Sequence, residues 1–125
     1  MRIWRMVFAL AAAFNFLVGL PLLLAPVTFY AAMKQPLPGD LLTAQVAALL
    51  ITVFGVGYAM VARNPPPNRP IVWLGLLGKA PLPLIVWLQV LAGKASFSAF
   101  TLTLGDALFA GLFLVFLLTT RKAAA

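Results

Sequence analysis

Two oppositely charged side chains, Lys79 and Asp106, lie inside long apolar stretches of this sequence. A charge in membrane hydrocarbon is costly, so such residues usually pair with one another or mark a site for an ion, a proton or a ligand. A lysine beside an aspartate forms an ion pair, and in an enzyme it can also act as a base or a nucleophile. These two residues are therefore the main candidates for chemistry in the chain.

Two amide side chains lie close enough in depth to join them. Counted from the outer ends of the apolar stretches at ~1.5 Å per residue, Asn15 is ~15 Å deep, Asp106 ~13 Å and Lys79 ~18–20 Å. Gln45 is ~6 Å deep by the same rise, so we expect it to cap the cluster of the other three. Each lies on a helical stripe with small residues, as in closely packed membrane helices. The sequence predicts a pocket for a headgroup, an ion or a proton, formed by Asn15, Gln45, Lys79 and Asp106.

A structural interpretation stays open beside this one. Lys79 and Asp106 would then neutralise each other and hold two helices in register, while Asn15 and Gln45 would form hydrogen bonds between helices. Catalysis has little support, because no serine–histidine pair, carboxylate pair or metal motif accompanies the lysine. We therefore predict no catalytic residue, and a protein that is more a binding or accessory protein than an enzyme.

The composition excludes several classes of protein. The chain is 64% hydrophobic and 9% charged, so its natural solvent is lipid. It has no cysteine and no histidine, which excludes disulfides and histidine-ligated metals, and we expect neither a metal nor a cofactor. The net charge of +7 comes from basic residues that flank the apolar stretches and meet lipid headgroups. The expected partner is the lipid bilayer and not a nucleic acid.

Four apolar stretches have the length that crosses ~30 Å of hydrocarbon. They occupy residues 3–25, 41–62, 71–92 and 97–120. No room is left for a soluble domain, so we predict an all-α fold in which residues 1–125 form one four-helix transmembrane bundle.

Local signals refine the ends and the breaks of these helices. Asp40 is expected to cap the second helix, because its carboxylate can accept from the first free N–H groups. Prolines at 81 and 83 predict that the third helix is kinked or broken between Gly78 and Pro83, beside a small hydrated cavity. The three prolines of residues 65–67 predict an extended polyproline spacer between the second and third helices.

Basic residues are distributed unequally between the two sides of the predicted bundle. One side carries two, Lys34 and Lys94. The side with both termini carries six, namely Arg2, Arg5, Arg63, Arg69, Arg121 and Lys122. Because cytoplasmic loops carry the excess of lysine and arginine, we predict that both termini are cytoplasmic.

Five short segments carry a family resemblance. They are Gly57-Tyr58-Ala59, Ala62-Arg63-Asn64-Pro65, Asn68-Arg69-Pro70, Leu74-Gly75-Leu76-Leu77-Gly78-Lys79 and Gly105-Asp106-Ala107-Leu108-Phe109. Together they resemble the small, uncharacterised bacterial four-span proteins that are grouped as DoxX-like. The resemblance implies a four-helix bundle in the bacterial inner (cytoplasmic) membrane, and it assigns no activity to any residue.

We predict a non-enzymatic integral membrane protein that binds a lipid-like or small ligand, or that serves as an accessory subunit of a larger membrane complex. The alternative is a small transporter or proton-coupled carrier that uses Lys79 and Asp106 and assembles with itself, since four spans alone form a narrow bundle. A water-accessible cavity that touches both charges would favour transport or ligand binding. A dry, direct contact between them would favour a structural role.

Overall fold

The computed structural model describes residues 1–120, and this part of the chain folds into six α-helices and one short 3-10 helix. The α-helices are α1 (Arg2–Leu24), α2 (Pro26–Ala32), α3 (Leu41–Arg63), α4 (Arg69–Lys79), α5 (Leu82–Leu91) and α6 (Phe97–Thr119). Arg121 and Lys122, which were counted for the orientation, lie outside the described residues. The 3-10 helix, Pro66–Asn68, directly precedes α4.

Four of these segments are long and apolar enough to cross a membrane. They are α1, α3, α6 and the combined segment Pro66–Leu91. The predicted all-α bundle of four spans is therefore confirmed, and α1, α3 and α6 begin and end within one residue of the predicted stretches. The predicted cap of the second helix is also present, since the Leu42 N–H donates to Asp40 Oδ1 at 2.8 Å.

The third span is broken in its middle, as predicted. α4 ends at Lys79 and α5 begins at Leu82. Proline has no N–H, so Pro81 cannot donate to the carbonyl of Leu77, and Pro83 cannot donate to the carbonyl of Lys79. The two missing hydrogen bonds interrupt the helix between α4 and α5, although Ala80 and Pro81 keep right-handed helical backbone angles.

The spans alternate in direction, so their ends gather in two groups. At the proline-loop end, the start of α1 meets the end of α6, where the rings of Trp4 and Phe116 lie 5.3 Å apart. At the opposite end, which we call the α2 end, Ser96 Oγ donates to the Met33 carbonyl at 2.8 Å. The up-and-down topology places the N-terminus and the loop between α3 and α4 at the same end.

An aromatic core fills the half of the bundle nearer the proline-loop end. Phe8 of α1 stacks on Phe113 of α6 at 5.0 Å and meets Phe116 edge-on at 5.1 Å. Tyr58 of α3 lies 5.1 Å from the Phe113 ring. All four rings are buried, so this core fixes α1, α3 and α6 relative to one another.

The predicted polyproline spacer is wrong. Pro65 has φ −61° and ψ −44°, and Pro66–Asn68 form a single 3-10 turn. Proline fits the first turn of a helix, where its missing N–H is not needed. The Asn68 side-chain amide then donates to the carbonyls of Asn64 at 2.8 Å and Met60 at 3.3 Å, which folds the loop back onto the end of α3.

Arg69 joins this loop to the end of α6 and gives a first prediction. Its Nη1 donates to Thr120 Oγ1 at 2.9 Å, and its Nη2 donates to the Leu117 carbonyl at 3.1 Å. Carbonyls in a last helical turn lack donors within the helix, and a cation is favourable there. We expect Arg69→Gln to destabilise the last turn of α6 by about 1 kcal/mol, measured as faster amide exchange. The control Arg63→Gln removes an exposed arginine at the same end and should leave that exchange unchanged.

Candidate functional site

The two intramembrane charges contact each other directly. Lys79 is the last residue of α4, and Asp106 lies in the middle of α6, which packs along α4. The Nζ of Lys79 lies 2.7 Å from Asp106 Oδ1, and the two side chains are only 6% and 14% exposed. Each charge thereby offsets part of the cost of removing the other from water.

Asn15 extends this pair into a network that reaches all four spans. Its Oδ1 accepts from Lys79 Nζ at 2.9 Å, and its Nδ2 donates to the Ile51 carbonyl of α3 at 2.9 Å. The close approach of α1 and α3 here depends on Gly55, where a Cβ would lie 3.2 Å from the Asn15 Cβ. One amide therefore connects α1 with α3 and α4, and the lysine connects them with α6.

Aromatic rings surround the Lys79 ammonium. The centroids of Phe14, Tyr58 and Phe109 lie 5.0, 5.4 and 5.8 Å from Nζ. These distances are within the range of cation–π attraction, so the ammonium has two oxygen acceptors and three ring neighbours. Phe109 shares the face of Asp106 at i+3 and was visible in the sequence, whereas no pattern indicated Phe14 or Tyr58.

Gln45 does not join the cluster, so the prediction that it caps Asn15, Lys79 and Asp106 is wrong. Its Nε2 donates to the Leu23 carbonyl at 3.4 Å. Carbonyls in the last turn of a helix lack intrahelical donors, and α1 ends at Leu24. Gln45 therefore donates to a free carbonyl at the end of α1. Its position on α3 is about 9 Å from Ile51, whose carbonyl accepts from Asn15.

The fully buried polar atoms around the ion pair have hydrogen-bond partners. Within residues 1–120, every fully buried side-chain nitrogen or oxygen has a hydrogen-bond partner. A direct contact between the two charges is what a structural role requires. The arrangement holds α1, α3, α4 and α6 together at one level of the bundle.

A cavity of about 310 Å³ lies elsewhere, at the α2 end of the bundle. We call it the α2 cleft; it is lined by Leu22, Phe29, Tyr30, Met33, Gln35, Val86, Gln89, Lys94, Ala95, Ala99 and Leu102. Neither Lys79 nor Asp106 lines it, so this cleft is not the hydrated cavity expected beside Pro81 and Pro83. No sequence pattern predicted this cleft, although polar residues lie near the outer ends of the spans.

The packing of α5 explains why a cleft forms. None of the ten residues of α5 is buried. The helix packs mainly on α6, and within residues 1–120 it has no extensive interface with α1, α2 or α3. A gap therefore lies between α1 and α2 on one side and α5 and α6 on the other, and residues of all four helices line it.

Two connecting segments are tied together at the mouth of this gap. Gln35 Oε1 accepts from the Ser96 N–H at 2.8 Å, and Gln35 Nε2 donates to the Lys94 carbonyl at 3.2 Å. The Ser96 hydroxyl donates to Met33, as described above, and it also accepts from the Ala99 N–H at 3.0 Å as the cap of α6. These contacts fix the backbone at the rim, so the mouth of the cleft is held in shape.

Comparisons of the chain with protein-family models, with curated proteins and with solved structures gave no match. The resemblance to DoxX-like proteins therefore stays a prediction. The function has to be argued from the polar network and the cleft themselves.

Proposed function

We propose that this chain is a non-enzymatic multi-pass membrane protein that binds a lipid-like molecule in the α2 cleft. The observation that carries the proposal is the cleft itself, with apolar side chains from α1, α2, α5 and α6 and a polar rim. Ligand sites in proteins span ~300–1,000 Å³, and about 310 Å³ is at the lower limit of that range. The volume suits one hydrocarbon chain or a small apolar molecule.

The polar network supports this function by holding the walls of the cleft. Lys79 is pinned to Asp106 and Asn15 at the last residue of α4, directly before the break. The start of α5 is therefore fixed relative to α1 and α6, although α5 itself is unburied. In this proposal the charges set the geometry of the cleft and do not touch the ligand.

The proposed location is the inner membrane of a bacterium, with both termini in the cytoplasm. Four basic residues of the described chain lie at the proline-loop end, namely Arg2, Arg5, Arg63 and Arg69, against Lys34 and Lys94 at the α2 end. This asymmetry supports a cytoplasmic proline-loop end and an α2 cleft near the outer leaflet. Assembly with itself or with a larger membrane complex stays a prediction.

A transporter or proton-coupled carrier is the second candidate, and one observation favours it. Pro81 and Pro83 have no N–H, so the carbonyls of Leu77 and Lys79 lack the donors that a continuous helix would supply. Broken membrane helices of this kind supply ion sites in transporters. Ion or proton flux into proteoliposomes that requires Lys79 and Asp106 would favour this candidate over lipid binding.

Filling the cleft should remove ligand binding. Ala99 lines the cleft from α6, so Ala99→Phe places a ring in the space of the hydrocarbon chain. We expect at least a tenfold loss of bound lipid-like ligand, measured by native mass spectrometry of protein released from nanodiscs. The matched control is Ala107→Phe, on the same helix but at an exposed position that does not line the cleft.

The control should retain the ligand and the thermal stability of the unaltered protein. If Ala99→Phe unfolds, Leu102→Trp fills the same cleft from the next helical turn and replaces it in the comparison. Equal occupancy in the cleft variant and in Ala107→Phe, with both folded, would refute the proposed function.

A further inference from the structure

The polar residues of the α2 cleft form one connected group. The Gln35 N–H donates to the Tyr30 carbonyl at 3.0 Å, and the Lys94 N–H donates to the Gln89 carbonyl at 2.8 Å. The Gln35 amide joins the two pairs through the Lys94 carbonyl. These four residues therefore lie side by side at the rim, while the other lining residues are apolar apart from backbone groups.

Lys94 is the only charged residue among those that line the cleft. The sequence has two acidic residues, and both are engaged elsewhere. Asp106 pairs with Lys79, and Asp40 caps α3 through the Leu42 N–H. Neither carboxylate lines the cleft, and within residues 1–120 no salt bridge joins Lys94 to a carboxylate, so the rim carries a net positive charge.

We propose that the ligand of the α2 cleft is a single-chain amphiphile with an anionic headgroup, either a carboxylate or a phosphate. This inference rests on the proposed function and names the chemistry of its ligand. The hydrocarbon chain lies between the apolar sides of α1 and α5, and the headgroup meets the Lys94 ammonium at the rim. A double-chain lipid does not fit inside a cavity of about 310 Å³.

The depth of the cleft agrees with this pose. The rim residues lie in α2, in the segment that follows it, near the end of α5 and in the turn before α6, all at one end of the spans, where headgroups lie. A lysine at such a position extends its ammonium toward the headgroup layer while its stem covers apolar surface.

Four probes with the same chain and different headgroups test the proposal. They are dodecanoate, dodecyl phosphate, dodecanol and dodecyltrimethylammonium, added to the full chain in nanodiscs of zwitterionic lipid. We expect both anions to bind about three- to tenfold more tightly than dodecanol, because a partly exposed ion pair contributes a free energy of that size. The cation should bind most weakly. Native mass spectrometry counts the bound probe.

Lys94→Gln should abolish the preference for anions and leave the affinity for dodecanol unchanged. The control Lys34→Gln removes another exposed lysine at the same end that does not line the cleft, and it should keep the preference. Lys94→Arg should keep it too, which separates charge from a local folding defect. Preference for the phosphate identifies a lysophospholipid-like ligand, and preference for the carboxylate identifies a fatty acid.

Two results would overturn the inference and leave the proposed function standing. The first is that dodecanol binds as tightly as dodecanoate, and the second is that Lys94→Gln and Lys34→Gln weaken binding of the anions equally, in each case while Ala99→Phe still removes all binding. If Ala99→Phe leaves every probe bound, the proposed function fails together with the inference. The two failures are thus distinguished by one cleft variant and one headgroup series.

Discussion

Lys79→Met should destabilise the bundle by about 3–5 kcal/mol, which is the largest effect that we expect from a single substitution. The variant leaves Asp106 charged, largely buried and without its cation. It also removes the donor to Asn15 Oδ1, so a second buried polar atom loses its partner. Reversible unfolding of the detergent-solubilised protein, followed by circular dichroism, measures the change.

The double variant Lys79→Met/Asp106→Leu is the matched control. Replacing both members of a buried ion pair with apolar residues is often neutral, so the double variant should recover most of the lost stability. Recovery should fall short by about 1 kcal/mol, because the Asn15 carbonyl still lacks its donor. A double variant as unstable as Lys79→Met would show that the two charges are not coupled, and a fully stable Lys79→Met would show that the pair is not needed.

The same double variant separates the two candidate functions. A structural pair can be replaced by apolar side chains without loss of the α2 cleft, which neither Lys79 nor Asp106 lines. Lipid binding should therefore survive in the double variant, at an affinity that is lowered only as far as the loss of the Lys79 contacts shifts the start of α5. A carrier that moves protons or ions through these charges would lose its activity in that variant even though the bundle stays folded.

Depth and charge were enough to bring the central residues of the network together from the sequence. Lys79 and Asp106 each needed a partner in hydrocarbon, and Asn15 lay at a similar depth on a neighbouring span. Gln45 was placed at the correct level, but its partner depends on where α1 ends. That end leaves the Leu23 carbonyl free for the Gln45 amide, a detail of the turn at Ala25 that spacing alone does not determine.

The α2 cleft could not be predicted from the sequence, because it depends on how α5 packs and not on a pattern of residues. The prolines at 81 and 83 indicate that the third helix breaks, but they do not indicate where α5 points afterwards. The proline loop shows the same limit. A polyproline stretch and a 3-10 turn share the φ that proline fixes and differ in ψ, and the amide of Asn68 decides between them through two carbonyls of the preceding chain.

Gly75→Ala should have the second-largest effect, about 2–3 kcal/mol, through overpacking of buried rings. A Cβ at Gly75 would lie 2.7 Å from Tyr58 Oη and 2.9 Å from Phe113 Cε2. Neither ring can withdraw into open space, since they are 1% and 0% exposed. The added methyl group should therefore push α4 away from α3 and α6. Lys79 lies one turn further along the same face, so the Lys79–Asp106 contact should lengthen as well.

Gly78→Ala is the control that makes this result specific, since it adds the same atom to the same helix. A Cβ at Gly78 meets no atom within 4 Å, and alanine is favoured over glycine in a helix, so this variant should be as stable as the original or slightly more so. Combining Gly75→Ala with Lys79→Met should cost less than the sum of the two, because the first already weakens the contact that the second removes. Strict additivity would mean that the close crossing of α4 and the ion pair are independent, and that the crossing does not position Lys79.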